Sequence, residues 1–253
     1  MTRRWVQWAT LAVTALGLGL PLLVARRLFN HPEVLLQTVA LVPAPYALAI
    51  WAPIDAGFLA FAVWQALPSQ RLNSRAAAVR PWLMLTALLD AARFWVASRG
   101  HPGWMLPLLA SMLVVAVVMQ RALRDAQPGA DGAEGWLRIP FSLYAGWLTF
   151  GVFMRLSTEL ARTGWDGFGL SDVIWVLILI VVSSVVGLVL RFRLDDPVYG
   201  FALAWAYFAV LIQQQGSPVI ALFAGVAAAL FLMSLFVRGE QPARSPSRQR
   251  AES

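Results

Sequence analysis

The stretch at residues 139–160, IPFSLYAGWLTFGVFMRLSTEL, constrains the fold of this chain more than any other. It is long enough to cross a bilayer, because about 20 residues of helix span the roughly 30 Å hydrocarbon layer. It nevertheless carries Arg155 and Glu159, and a charge on a membrane helix is costly unless it faces a partner or a cavity. Tyr144 and Gly151 recur at helical spacing with these charges, so all four share one stripe. This helix therefore has an inward face, which other helices must meet.

The composition indicates a membrane protein. Of the 253 residues, 59% are hydrophobic and only 13% are charged, whereas soluble domains contain about 25% charged residues. We therefore predict an all-α, polytopic integral membrane helical bundle whose first partner is the lipid bilayer. The net charge of +7 is the difference between 20 basic and 13 acidic residues, and all the basic residues are arginines. Most of them flank apolar runs, so membrane topology explains them better than nucleic-acid binding, and we expect no nucleic-acid partner.

Eight apolar runs predict eight transmembrane helices. They lie at about 5–25, 46–67, 81–98, 104–123, 139–160, 172–190, 198–213 and 218–237. The connection 26–45 is too long for a tight helical hairpin, and its apolar centre predicts a lid over the bundle. The polar, Pro/Ser-rich segment 238–253 is predicted to be a disordered basic tail.

The arginines orient this bundle. With a cytoplasmic N-terminus, fourteen arginines fall in inside segments, four fall in outside segments, and two lie within the membrane. This positive-inside bias predicts that both termini are cytoplasmic. We expect the chain to reside in a bacterial inner membrane.

Four charges lie deep within predicted spans. At 1.5 Å per residue, Asp55 and Asp90 come out about 13 Å from the outer ends of their helices, Arg93 about 9 Å and Arg155 about 7 Å. The charges thus form one layer on the second, third and fifth predicted helices. Asp90 can pair with Arg93 at i, i+3, and Arg155 can pair with Glu159 at i, i+4.

Two interpretations of this layer remain open. The charges could lock three helices together. Alternatively, they could floor a pocket that is walled by Trp51, Trp147 and Tyr144 and opens outward under the lid at 26–45. Asp55 favours the pocket, because its own helix carries no cation and intramembrane ionisable residues mark functional paths.

The remaining chemical signals are weak. His31 and His101 are the only histidines and lie far apart in sequence, and there is no cysteine, so no metal site is predicted. No nucleophile–base spacing or phosphate-binding loop is present, and we predict that the chain is not an enzyme. Small residues at Ala221, Gly225 and Ala229 would serve helix packing or a homodimer interface.

Two stretches, PAPYALAIWAPIDAGFLAFAVWQAL and IPFSLYAGWLTF, resemble the second and fifth helices of the TspO/MBR family of tryptophan-rich sensory proteins, which are related to the mitochondrial translocator protein. Pro43, Pro45 and Trp51 match the family's Pro-rich lid and central tryptophan. Tyr144 and Trp147 match its Tyr-x-x-Trp unit. The resemblance covers the first five predicted helices, so it divides the chain into a five-helix domain at 1–163, three additional helices at 164–237 and the tail at 238–253.

The resemblance implies a receptor-like bundle that binds porphyrins such as protoporphyrin or haem, or sterol-like lipids, beneath the first loop. No cofactor is required, and a porphyrin would be a ligand. Two residues depart from the family pattern, with Asp55 in place of tyrosine and Arg155 in place of asparagine. The two could pair with each other across helices, or Arg155 and Arg93 could hold the carboxylates of a tetrapyrrole.

Three function classes therefore remain open. The first is a TspO-like binding or sensory protein with a ligand site at Trp51, Asp55, Asp90, Arg93, Tyr144, Trp147 and Arg155. The second is a proton-coupled small-solute transporter that uses Asp55 and Asp90 as carriers. The third is a structural membrane subunit.

Overall fold

The computed structural model describes residues 5–17, 41–125 and 136–237, and every regular element in these ranges is helical. The helices are α1 at 5–17, α2 at Trp51–Ala66, α3 at Ser74–Ser98, α4 at Met105–Asp125, α5 at Arg138–Arg162, α6 at Asp172–Arg193, α7 at Pro197–Gln213 and α8 at Pro218–Ser234. A 3₁₀ segment, Pro45–Ile50, leads directly into α2. The predicted all-α architecture with eight helices is confirmed.

Several helices have the length and composition that crossing a membrane requires. Four helical stretches meet both criteria: Pro45–Ala66, Pro102–Arg124, Arg138–Arg162 and Asp172–Arg193. The apolar helices α7 and α8 have 17 residues each, which is the lower limit for a span. Three predicted stretches lie wholly or partly outside the described residues: 18–25 of the first span, 26–40 of the lid at 26–45, and the tail at 238–253.

Helix α3 begins about two turns before the predicted start at Pro81. The Asn73 side chain caps it by accepting a hydrogen bond from the Ala76 backbone N–H at 2.9 Å, which satisfies one of the free donors of the first turn. Pro81 lies inside the helix. The prediction was wrong here because it read this proline as a helix start, although a membrane bundle tolerates an internal proline.

Helix α5 lies at the centre of the bundle. Its residues 141–150 are all buried, and it packs against α2, α4, α6 and α7. Two glycines allow close approach: a Cβ at Gly57 of α2 would lie 2.3 Å from the Pro140 side chain, and one at Gly146 would lie 2.6 Å from the Tyr199 carbonyl oxygen of α7. Small residues at such contacts are the usual basis of helix association in membranes.

Polar side chains join α7 to α5 and α6. The Tyr199 and Thr149 hydroxyls are 2.8 Å apart, and the Tyr207 hydroxyl is hydrogen-bonded to Ser183. Asp196 caps α7 by accepting from the Val198 backbone N–H at 3.1 Å. The C-terminal helices are thus packed directly on the central helix, and the division of the chain at residue 163 stays a prediction.

Candidate ligand-binding site

An aromatic wall forms where α2 crosses α5. The Trp51 and Tyr144 ring centroids are 6.2 Å apart with an interplanar angle of 67°, and Phe58 meets Tyr144 edge-on at 5.1 Å. Edge-to-face pairs of this kind stabilise a defined ring arrangement. Phe58 was not among the predicted site residues, although Trp51 and Phe58 are seven residues apart and therefore share one helix face.

Helix α3 brings an ion pair to this wall. The Arg93 Nη2 atom donates to the Asp90 Oδ1 atom at 3.0 Å, and Nε donates to the same oxygen at 3.3 Å. The Arg93 guanidinium also lies 5.3 Å from the centre of the Trp51 ring, a distance at which a cation is attracted to the ring face. The guanidinium also lies 4.5 Å from the centre of the Phe94 ring. Asp90 therefore holds the cation next to the rings of Trp51 and Phe94.

Asp55 lies one helical turn from Trp51 and completes a cluster of three charges. Its side chain is half-buried and interacts electrostatically with Asp90 and Arg93. No hydrogen bond or salt bridge joins its carboxylate to another described residue. The Tyr144 hydroxyl is buried near Asp90, but no hydrogen bond of ordinary geometry partners it within the described ranges.

Five of the seven predicted site residues thus come together at one place in the fold. They are Trp51, Asp55, Asp90, Arg93 and Tyr144.

Trp147 and Arg155 continue the stripe of Tyr144 along α5. Trp147 is 6% exposed and packs on Phe150, with ring centroids 5.8 Å apart. Gly151 lies midway between Trp147 and Arg155, and a Cβ there would meet no described atom within 4 Å. The stripe therefore borders open space that side chains from the described helices do not fill.

Arg155 forms one of the two ion pairs that the sequence left open and not the other. It pairs with Glu159 on its own helix, and its Nη2 atom donates to the Pro102 carbonyl oxygen at 2.8 Å. No ion pair between Arg155 and Asp55 forms, so that interpretation was wrong. The partner one turn away is the nearer one. The Arg155 Nε atom is buried and has no hydrogen-bond partner in the described part of the chain.

The predicted lid at 26–45 is described by the structure only at its C-terminal end. The Leu41 backbone N–H donates to the Ser157 hydroxyl at 3.1 Å, and the Ala44 backbone N–H donates to the Ala209 carbonyl oxygen at 3.0 Å. This end is thereby attached to α5 and α7, next to the stripe. Residues 26–40 of the predicted lid lie outside the described residues.

No metal-binding group is present in the described ranges: no three His, Cys, Asp or Glu side chains there lie close enough to hold an ion.

The fold and the cluster define a helical membrane protein with aromatic and charged side chains gathered inside its bundle. The model of the TSPO-like protein family matches residues 8–237, and this chain therefore belongs to the TSPO-like family. Searches of the curated proteins and of the solved structures returned no match.

The family match settles several predictions. The resemblance to the TspO/MBR family is confirmed, as is the polytopic membrane bundle. The chain is an integral membrane protein of the TspO type, in contact with the lipid bilayer. The match extends across all eight helices rather than the first five alone.

Proposed function

We propose that this protein binds or senses a flat hydrophobic ligand, a tetrapyrrole or a sterol-like lipid, without catalysing its conversion. The observation that carries the proposal is the Arg93 cation, held by Asp90 on the ring face of Trp51. Membership of the TSPO-like family supports it. We further propose a bacterial inner membrane location with both termini cytoplasmic, based on the distribution of arginines.

The α5 stripe supplies the surface for such a ligand. Tyr144 and Trp147 offer aromatic faces and edges, which favour stacking with a flat ring system. A Cβ at Gly151 would meet no atom of the described residues within 4 Å, so the described helices leave space beside them. From Tyr144 to Arg155 the stripe rises about 16 Å at 1.5 Å per residue. A plate-like ligand would lie along this stripe on the side of Gly151, with Trp51, which already contacts Tyr144, at its edge.

Two buried donors are available to a polar group on the ligand. The Tyr144 hydroxyl, which lies near Asp90, and the Arg155 Nε atom form no hydrogen bond of ordinary geometry in the described ranges. A buried donor that stays unpaired costs about 1–3 kcal/mol, so a ligand oxygen that accepts from either one recovers that cost. Arg93 and Arg155 would face the anionic edge of a tetrapyrrole.

A titration of the detergent-purified full chain with protoporphyrin IX, followed by tryptophan fluorescence, tests this proposal. We expect saturable quenching in the wild type and binding weakened by up to about tenfold in Arg93→Gln, because Arg93 shares its donors with Asp90 and contributes less than the about 1.5–3 kcal/mol of a hydrogen bond to a free charged group. The matched control is Arg99→Gln. The Arg99 side chain is exposed at the C-terminal end of α3 and contacts Trp95 rather than Trp51. Quenching that never saturates, or equal weakening by both substitutions, would contradict the proposed site.

A second candidate function is proton-coupled transport of a small solute. It is favoured by the half-buried Asp55 carboxylate, which has no hydrogen-bond partner in the described ranges and faces Asp90. In proteoliposomes with an imposed pH gradient, this function predicts proton flux that Asp55→Asn abolishes. If the wild type shows no proton flux but binds porphyrin saturably, transport is excluded and the binding function is retained.

A further inference from the structure

A groove of about 810 Å³ lies at the other end of α2 and α3, away from the aromatic and charged cluster. The arginine distribution predicts that this end is cytoplasmic. One wall is apolar and comes from α1 and α3, through Val6, Ala77, Pro81 and Met84. Arg71 and Arg80 line the groove as well, and no acidic residue is among its described lining residues. The groove is thus apolar along its length and cationic at its end.

A buried hydrogen-bond network fixes Arg80 in place. The Arg80 Nε atom donates to the Gln65 Oε1 atom at 2.7 Å, and Nη2 donates to the Gln70 carbonyl oxygen at 3.0 Å. The Gln65 amide in turn donates to the Gln7 carbonyl oxygen at 2.9 Å, and the Gln7 amide donates to the Gln65 carbonyl oxygen at 2.6 Å. Because α1, α2 and α3 all contribute, the cationic end of the groove is preformed.

Arg71 is the accessible cation of the groove. Its side chain is half-buried in the turn before α3, and no hydrogen bond or ion pair engages its guanidinium in the described ranges. The first turn of α3 begins at the same place with Ser74, so the positive end of the helix dipole adds to the field there.

The groove has the dimensions of a lipid in one leaflet. From Ser74 to Met84 the wall of α3 rises about 15 Å at 1.5 Å per residue, which is half of the roughly 30 Å hydrocarbon layer. A ligand that matches both ends needs an anionic head and an apolar tail of that length.

We propose that this groove is a binding site for an anionic phospholipid. The headgroup phosphate would lie at Arg71, beside Arg80, and one acyl chain would follow Ala77, Pro81 and Met84 between α1 and α3. Basic pockets between membrane helices on the cytoplasmic side bind anionic headgroups in this way. The site is separate from the proposed ligand site, and it does not depend on the identity of the ligand bound there.

Native mass spectrometry of the detergent-purified full chain tests this site. Phosphatidylglycerol is titrated against phosphatidylcholine with the same acyl chains. We expect phosphatidylglycerol to bind at least about fivefold more tightly, and Arg71→Gln to remove about that factor, because one arginine near a headgroup contributes roughly 1 kcal/mol. Arg99→Gln, at the opposite end of α3, should leave the preference unchanged.

Two further measurements separate the lipid from a free anion. Ala77→Trp fills the apolar wall at an exposed position and should abolish the preference without changing the circular dichroism spectrum. Inorganic phosphate in millimolar excess should not displace the lipid, because it cannot occupy the apolar wall. Equal affinity for the two lipids, an unchanged preference in Arg71→Gln, or displacement by phosphate would overturn the proposal.

Discussion

Substitution of Gly146 by alanine tests whether α7 packs closely against the central helix α5. A Cβ atom at Gly146 would lie 2.6 Å from the Tyr199 carbonyl oxygen and 2.8 Å from the Ala202 Cβ atom. The first of these is a main-chain atom of a packed helix and cannot rotate away. The substitution therefore forces α5 and α7 apart at the position where α5 carries Tyr144 and Trp147.

The expected loss follows from two opposing effects. Overpacking of a well-packed interior costs about 1–3 kcal/mol, and the rigid carbonyl places this case at the upper end. Alanine in place of a helical glycine returns up to about 1 kcal/mol. Gly151→Ala on the same helix gains the same helix propensity without a clash, since no described atom lies within 4 Å of its new Cβ. The two variants should therefore differ in stability by about 3 kcal/mol.

Thermal unfolding in detergent, followed by intrinsic fluorescence, measures this difference. At about 2–4 °C per kcal/mol for a chain of this size, the apparent Tm of Gly146→Ala should fall roughly 6–12 °C below that of Gly151→Ala. Both variants are heated at the same rate, because unfolding of membrane proteins is often irreversible. If the two midpoints agree within about 2 °C, the close approach of α5 and α7 is refuted.

Two further substitutions test the buried charges. Asp90→Asn leaves Arg93 without its carboxylate and should lower the free energy of unfolding by about 2–3 kcal/mol, which is below the value for a fully buried pair because Arg93 is one-fifth exposed. The double variant Asp90→Asn/Arg93→Gln should unfold at a higher temperature than Asp90→Asn alone. If the stability losses of the two single variants simply add in the double variant, the pairing is contradicted. Arg191 donates to the Ser234 and Val237 carbonyl oxygens at 2.8 and 3.0 Å, so Arg191→Met should free the end of α8. Hydrogen exchange at 231–237 should then accelerate at least about tenfold, whereas Arg193→Met, at an exposed position, should leave it unchanged.

The helices could be predicted because the membrane leaves a chain few alternatives. Every span must satisfy its own backbone hydrogen bonds, so apolar runs such as 139–160 become helices whatever they pack against. Boundaries were harder, as the start of α3 shows. The Asn73 cap is a local signal that the prediction overlooked, and it was outweighed by Pro81, which the helix accommodates.

The site was predictable to the extent that local spacing determines it. The Asp90–Arg93 pair follows from three-residue spacing on one helix. The contact between Arg93 and Trp51 depends on how α3 is rotated against α2, and a single sequence does not contain that angle. The same limit explains Arg155: two carboxylates were candidates, and the one a turn away on α5 forms the pair.

The position of α7 could not be predicted from helical periodicity. Its described residues are apolar on nearly every face, and a uniformly apolar helix carries no orientation signal. Three side chains that the prediction did not use orient it: Tyr199 on Thr149, Tyr207 on Ser183, and Asp196, which accepts from the Ser142 hydroxyl of α5. Polar contacts of this kind hold membrane helices in register.

The charge balance of the site predicts which form of a tetrapyrrole it prefers. Arg93 is paired with Asp90, and Arg155 and Arg162 both pair with Glu159. Asp55 adds a further carboxylate, so the formal charges of these six side chains sum to 0. An arginine free to bind a propionate would contribute about 1.5–3 kcal/mol, or roughly 10- to 100-fold in affinity. An arginine that must share its donors with a carboxylate contributes less.

We therefore expect wild-type protein to prefer protoporphyrin IX over its dimethyl ester by less than about tenfold. In Arg93→Gln the formal sum falls to −1, and the dicarboxylic acid should lose more affinity than the ester, since only the acid is repelled by Asp55 and Asp90. A hundredfold preference for the acid in the wild type would mean that Arg93 leaves Asp90 to bind the propionate. In that case the ligand would break the Asp90–Arg93 ion pair on binding, and the pair would not be a fixed part of the site.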